Sequence, residues 1–333
     1  MLVHQNGRVH APEFPSDASW IQGGPFTLRE LRGKVVLIDF WTYSCVNCIR
    51  TLPYVQRWHE AYAKDGLVII GVHTPEFSFE KDQEHVKDAL ARFGIRYPIV
   101  ADNEYAIWRL YANRSWPRKF LINAEGVIVY DHAGEGAYAA TELAIQEELR
   151  KIGVKELPAI GPDASMGGKV CYRTTGETYF GFLRGKIENT CDALPGEELS
   201  CTDDAKIQSE GAVTLHGHWK VHGEYVEHAR VVSGTYEYIR LQYRAYAVNM
   251  VLEAPAGKSA RLEVLHNSTL LSADMRGEDV YEEGGKTWVT VAEPRMYSII
   301  KSKIYHHGSL RVGVSHEGIR CYAATYGSCE DSV

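Results

Sequence analysis

The stretch Lys34–Pro53, KVVLIDFWTYSCVNCIRTLP, decides the reading. Val35-Val36-Leu37-Ile38 is an apolar, β-branched run suited to a buried parallel strand. It ends in Asp39-Phe40-Trp41 and a short polar turn. Two cysteines follow, Cys45-Val46-Asn47-Cys48, at the head of a predicted helix. Cys45 at that helix N-terminus meets unpaired N–H groups and the positive end of the dipole, which favour a thiolate. Cys48, one turn further in, is shielded and close enough to close a disulfide. Strand, turn, dithiol and helix in this order carry the chemistry of a dithiol–disulfide switch. A zinc half-site needs a second Cys or His pair, and the chain has no other C-x-x-C. A purely structural disulfide needs neither the strand before it nor the helix after it.

Working outward, the chain has 333 residues, enough for about two domains. With 45% hydrophobic and 24% charged residues it has the composition of a soluble globular protein. A net charge of −7 argues against nucleic acid as the main partner. No apolar run reaches the roughly 18 residues needed to span a bilayer. The N-terminal MLVHQNGRVH lacks the apolar core of a signal peptide. The expected location is cytoplasmic if the chain is complete and extracytoplasmic if it is trimmed. Of seven cysteines, Cys171, Cys191, Cys201, Cys321 and Cys329 lie in the second half. Five is odd, so at least one is free or pairs between chains. Cys191 and Cys201 bracket a polar loop of the kind disulfides close, but spacing alone does not give the connectivity.

Residues 1–33 read as an irregular lead-in with a turn at Gly23-Gly24-Pro25. After Pro53 the helix runs to about Lys64, and Asp65-Gly66 breaks it. Leu67–Val72 is a second buried strand. Ser78 is the expected cap of a helix whose apolar face is Val86, Leu90 and Phe93 and which stops at Gly94. Tyr97–Val100 is a short strand, and Ile107, Leu110 and Tyr111 mark a short helix. Trp116-Pro117 precedes a hairpin of Phe120-Leu121-Ile122 and Val127–Tyr130 around a Gly-containing turn. A last helix covers about Tyr138–Ile152. Glu156–Gly168 reads as a linker. Beyond it, short β-rich runs such as Tyr236–Tyr243, Val248–Leu252, Arg261–Leu265, Tyr297–Ile300, Ser309–Val314 and Gly318–Tyr326 argue for an all-β sandwich.

The Cys45–Cys48 stretch resembles a thioredoxin active site. Asp39, six residues before Cys45, and Pro53, five after Cys48, sit where thioredoxins carry a buried aspartate and a helix-kinking proline. The element order resembles TlpA-like redoxins. The motifs Asp39–Cys45, Gly71–Phe77 and Gly134-Glu135-Gly136 resemble the DipZ-type proteins, as do Glu177–Gly181, Ala247–Leu252, Met296–Ile300 and Cys321–Gly327 in the second half. That resemblance implies an α/β thioredoxin-like domain over residues 1–160. It implies a carbohydrate-binding-module-like, jelly-roll-like β-sandwich over 161–333. In this fold the proline before the hairpin, here Pro117, is cis and shapes a groove for an extended thiol substrate. A CcdA-type membrane electron donor is the partner that the family implies.

The expected activity is thiol–disulfide exchange. Cys45 attacks, Cys48 resolves, Asp39 assists proton transfer and Pro117 shapes the groove. Trp41, Ser44, Trp116 and Glu76 are expected to line that groove, Glu76 and His73 because they follow the second strand. No metal or organic cofactor is needed, and the substrates are protein or small-molecule disulfides and thiols. A thiol peroxidase is the alternative enzyme: Thr42 has the threonine spacing of peroxiredoxins, but Ile38 stands where they carry proline. A third reading is a glycan- or protein-binding module with a secondary redox domain, favoured by any clustered, exposed aromatic patch on the sandwich. His216-Gly217-His218 and His306-His307 lack a third ligand at an obvious spacing for metal.

Overall fold

The computed structural model describes residues 4–5, 8–162, 171–189, 191, 197–203, 208–234 and 236–329. The chain divides into two compact units, Met1–Gly167 and Gly168–Val333, each with its own core.

In the first unit β1 (His4–Gln5) and β2 (Arg8–Val9) pair by themselves. The main sheet holds β3 (Ser19–Gln22), β4 (Val35–Trp41), β5 (Leu67–His73), β6 (Ile99–Ala101), β7 (Arg118–Ile122) and β8 (Ile128–Ala133), in the order β3-β6-β5-β4-β7-β8. β4, β5 and β6 run parallel, and β7 and β8 return antiparallel. Helices α1 (Val46–Tyr62), α2 (Gln83–Phe93), α3 (Ala106–Leu110) and α4 (Tyr138–Lys151) complete the thioredoxin-like α/β arrangement. Every residue of β4 is buried, as its unbroken apolar run requires of a strand covered on both faces. Val36, Ile38 and Phe40 point into a core shared with α3 and with Leu28 and Leu31. By strand alternation Leu37, Asp39 and Trp41 point to the other face. On β7 Phe120 and Ile122 join the first core, which leaves Lys119 on the face of Asp39.

Three details of the sequence reading are corrected here. The lead-in is not wholly irregular, since β3 adds an antiparallel edge strand to β6; four residues are too few to show a period. Ser78 is not the cap of α2. A one-turn 3-10 helix, Ser78–Lys81, comes first, and Asp82 caps α2 by accepting the Glu84 N–H at 2.9 Å. The first part of the expected linker is docked. Pro158 O accepts from Gln146, Pro162 O accepts from Arg57, and the Gly161 N–H donates to Glu142 at 3.1 Å. Residues 163–168 of that linker lie outside the described residues.

The second unit is all β. Its strands form one antiparallel, eleven-stranded network around a core that includes Trp219, Tyr243, Met250, Leu262 and Tyr297. Tyr236–Tyr243 and Val248–Leu252, read as separate runs, belong to one strand, Glu237–Glu253, and the runs Tyr297–Ile300 and Ser309–Val314 to another, Arg295–Val314. The two long strands pair with each other, and the register slips between Ala245 and Ala247. A bulge breaks the alternation without ending the pairing, and it bends the strand locally. Cys171 bonds to Cys329 and Cys191 to Cys201, while Cys321 is a free, buried thiol. Tyr172, Tyr246 and Tyr305 cluster, with ring centroids 4.9 Å apart for Tyr172–Tyr305 and 5.5 Å for Tyr246–Tyr305. Tyr172 and the neighbouring Ile304 are exposed. His218 meets Glu198 and His306 meets Ser302. Among the described residues no group of three or more His, Cys, Asp or Glu comes together as a metal site would require.

Candidate active site

Cys45 is the N-cap of α1. Its extended backbone (φ −79°, ψ 116°) turns the side chain back over the first turn, where Sγ accepts the Cys48 N–H at 3.4 Å. Both cysteines are free thiols. Cys45 is half-buried, whereas Cys48, one turn on, is only 1% exposed. Burial pushes the Cys48 thiol well up. The neighbouring Cys45 and the Asp39 carboxylate push it further, against a backbone hydrogen bond from Thr42. The two thiols thus differ sharply in access, although they lie three residues apart.

Asp39 is buried behind them on β4. Loss of water raises its carboxyl to about 6, against the pull of Lys119. Lys119, directly opposite on β7, is pushed down by its own burial while Asp39, Cys48 and Glu135 pull it back up. Tyr97 is buried in the same region, raised by burial and by the charges of Asp39 and Cys48. Gly71 leaves room here, since a Cβ at that position would lie 2.6 Å from Ile99, 3.0 Å from Trp41 Nε1 and 3.2 Å from the Tyr97 ring. Sequence reasoning missed Lys119. The visible signal was a lysine inside the strand Arg118–Ile122, at a position that alternation assigns to the interior.

The Trp116–Pro117 bond is cis, and Pro117 is buried. Trp116 is half-buried. Its indole N–H donates to Thr74 O at 3.0 Å, and its ring lies against Trp108, 4.3 Å between centroids. Trp41 and Ser44, expected in the groove, are instead interior. Trp41 is fully buried edge-on to His73, because the outward turn begins only after β4 ends. Ser44 is 2% exposed because Glu80 holds it: Glu80 Oε1 accepts the Ser44 hydroxyl at 2.7 Å and its N–H at 3.2 Å. Glu76 is half-buried, and its N–H donates to Glu80 Oε2 at 2.5 Å. His73 is buried, and desolvation drives it down to about 3, a neutral ring. Its Nε2 meets Thr42 Oγ1 at 3.3 Å. Glu80 is the second residue missed, because two positions after Ser78 it reads as one more acidic residue in the first turn of the helix expected there.

Residues 9–142 match the Redoxin family, and residues 175–327 match the family described as Thioredoxin like C-terminal domain. Protein DipZ of Mycobacterium bovis is 38% identical over 255 residues, which is 73% of this chain and 35% of DipZ. The chain thus spans about a third of the length of the DipZ relatives it matches. Thiol-disulfide oxidoreductase ResA of Halalkalibacterium halodurans is 32% identical over 132 residues, 40% of this chain and 70% of that protein. Thiol-disulfide oxidoreductase YkuV of Bacillus subtilis is 27% identical over 143 residues, 43% of this chain and 95% of that protein. With a half-accessible cysteine capping α1 and relatives matched over most of their own length, this chain belongs to the thioredoxin-like redoxin family that includes the thiol-disulfide oxidoreductases.

Proposed function

We propose that the chain is a thiol–disulfide oxidoreductase acting on protein or small-molecule disulfides. The observation that carries this is the contrast between Cys45, half-accessible at a helix N-terminus, and Cys48, buried one turn behind it next to Asp39. The Cys45 thiolate attacks one sulfur of a substrate disulfide. A mixed disulfide forms, and the other substrate sulfur leaves as a thiolate. Cys48 gives its proton to the Asp39 carboxylate and attacks Cys45 Sγ, which releases the second substrate thiol and closes Cys45–Cys48. Two electrons pass to substrate, so an external dithiol must restore the pair, and a CcdA-type membrane donor suits that role. Pro117, Trp116 and Glu76 are the proposed groove residues. The peroxidase alternative has less support, because the Thr42 hydroxyl is buried against His73.

The test is turnover of insulin disulfides with dithiothreitol as reductant, by the whole chain and by Cys45→Ser and Cys48→Ser. Turnover lost in both, with a mixed disulfide trapped only in Cys48→Ser, is the expected result. Wild-type turnover no faster than dithiothreitol alone sinks the proposal.

Two further readings rest on the second unit. Disulfides persist in oxidising compartments, so Cys171–Cys329 and Cys191–Cys201 favour work outside the cytoplasm. Thiol-reactive labelling in intact cells tests this, and reduced cysteines at all four positions count against it. Tyr172 is exposed beside the half-buried Tyr305 and the buried Tyr246, and an exposed ring backed by aromatics would let a sugar ring stack, which favours weak glycan binding. Glycan-array signal unchanged by Tyr172→Ala removes that reading.

A further inference from the structure

Glu80 is fully buried; burial raises its carboxyl, and hydrogen bonds from Thr42 and Ser44 work to hold it down. Its two oxygens divide the work. Oε1 accepts the N–H and hydroxyl of Ser44, the residue before Cys45, at 3.2 and 2.7 Å. Oε2 accepts the N–H groups of Glu76 and Phe77 at 2.5 and 3.0 Å. Charge-assisted bonds of this kind are about twice as strong as neutral ones, and the Thr42 hydroxyl adds a further bond to the same carboxyl. The segment it grips is pinned elsewhere too. The Thr74 N–H donates to Trp41 O at 3.0 Å, Thr74 O accepts the Trp116 indole at 3.0 Å, and Pro75 O accepts the Tyr105 hydroxyl. Residues Thr74–Phe77 therefore hold Trp116 directly and Ser44 through Glu80.

We propose that Glu80 is a positioning residue for thiol exchange: its carboxylate ties Ser44, and through it Cys45, to the Thr74–Phe77 segment that holds Trp116. The cysteine that attacks and the residue before Pro117 are thereby set against each other through one buried group. This rests on the exchange reading above, in which both flank the substrate. Glu80→Gln keeps the shape but puts an NH₂ where an acceptor is needed, so it breaks one of the two grips. Ser44→Ala keeps the charge and removes a single bond.

Charge and position make opposite demands on Cys45. Removing a buried negative charge nearby, taken alone, speeds thiolate chemistry, whereas losing the grip lets the loop drift and slows it. The experiment uses the full chain, reduced under conditions that leave its other disulfides closed. It follows iodoacetamide labelling of Cys45 by peptide mass spectrometry, the Cys45–Cys48 potential against glutathione, and thermal melting. Glu142→Gln is the control: another buried carboxylate of this unit, bonded to Arg57 and Tyr62 and not to the Cys45 loop.

The expected result is labelling about tenfold slower in Glu80→Gln and about threefold slower in Ser44→Ala, with Glu142→Gln changing only the melting temperature. Faster labelling in Glu80→Gln with Ser44→Ala unchanged makes the effect one of charge and overturns the proposal. So does a lowered melting temperature with wild-type labelling and potential. If Glu80→Gln does not fold, Ser44→Ala decides alone: slower labelling supports the proposal and wild-type labelling overturns it. Wild-type insulin turnover, measured alongside, reports separately on the exchange reading.

Discussion

Asp39 and Lys119 stand directly opposite each other across the antiparallel pairing of β4 and β7, both buried, and no described residue hydrogen-bonds Asp39 Oδ1 or Lys119 Nζ. A satisfied structural ion pair would have its lone pairs and protons occupied. This one is instead a pair of titratable groups buried behind Cys48, where charge is costly and their protonation states are tied together.

The first prediction concerns Asp39→Asn. The folded-state pKa of Asp39 is raised to about 6 from 3.8. The stability it contributes is therefore complete below the unfolded value and is lost as pH rises through about 6. At pH 7 the wild type carries a buried charge that Asn removes. Asp39→Asn should then be more stable at pH 7 by on the order of 1–3 kcal/mol, with the difference vanishing near pH 4. Its resolution step should nonetheless slow, because the proton acceptor is gone. Urea melts at the two pH values and mixed-disulfide kinetics check this. A variant less stable than wild type at pH 7 contradicts it.

Lys119→Met removes the one attraction that lowers Asp39. The pH at which resolution reaches half its maximal rate should move up by about one unit, with Asp39→Asn abolishing the dependence in either background. Cys48, Tyr97 and Glu135 are the other titrating groups coupled to this pair. An unchanged profile in Lys119→Met assigns the lysine to packing alone.

Access separates the two active-site thiols. In the reduced chain at pH 6, iodoacetamide should label Cys45 first, because Cys48 is 1% exposed and pushed well above its ordinary range. Peptide mapping that found Cys48 labelled ahead of Cys45 would reverse the assignment of attacker and resolver.

Every residue of the proposed chemistry lies in the first unit, which has its own core. Residues 1–162, cut after the docked Pro162 segment, should fold alone and turn over insulin at the rate of the whole chain. The rival is a relay through the second unit. There four cysteines are paired and Cys321 is fully buried, its thiol pushed up by desolvation. A folded 1–162 fragment without turnover favours the relay.

The two disulfides of the second unit close very different loops, with separations of 158 residues for Cys171–Cys329 and 10 for Cys191–Cys201. Loop-closure entropy gives about 5 kcal/mol for the long loop and about 3 kcal/mol for the short one. Replacing Cys171 and Cys329 by serine should therefore lower the denaturation midpoint of this unit more than replacing Cys191 and Cys201. The reverse order places the stabilisation in native contacts rather than in chain entropy.

Local pattern by itself determined that Val35–Trp41 is a buried strand, that Cys45 and Cys48 head a helix, and that the chain changes from α/β in its first half to all-β in its second. Each follows from period, from spacing, or from punctuation such as Gly66 and Gly94, which take left-handed backbone at φ 103° and 69°. Asp39 and Pro117 could be named as candidates because the reason to single them out lies in distance along the chain from Cys45 and from the hairpin. Tertiary structure decided what depends on contacts between distant segments. Lys119 meets Asp39 only because β7 pairs with β4, and Glu80 meets Ser44, 36 residues away, only because β5 returns the chain beside β4. Trp41 and Ser44 were misplaced for the same reason. Adjacency to Cys45 says nothing about which way a side chain faces, and the interior that claims them is built by residues far along the sequence.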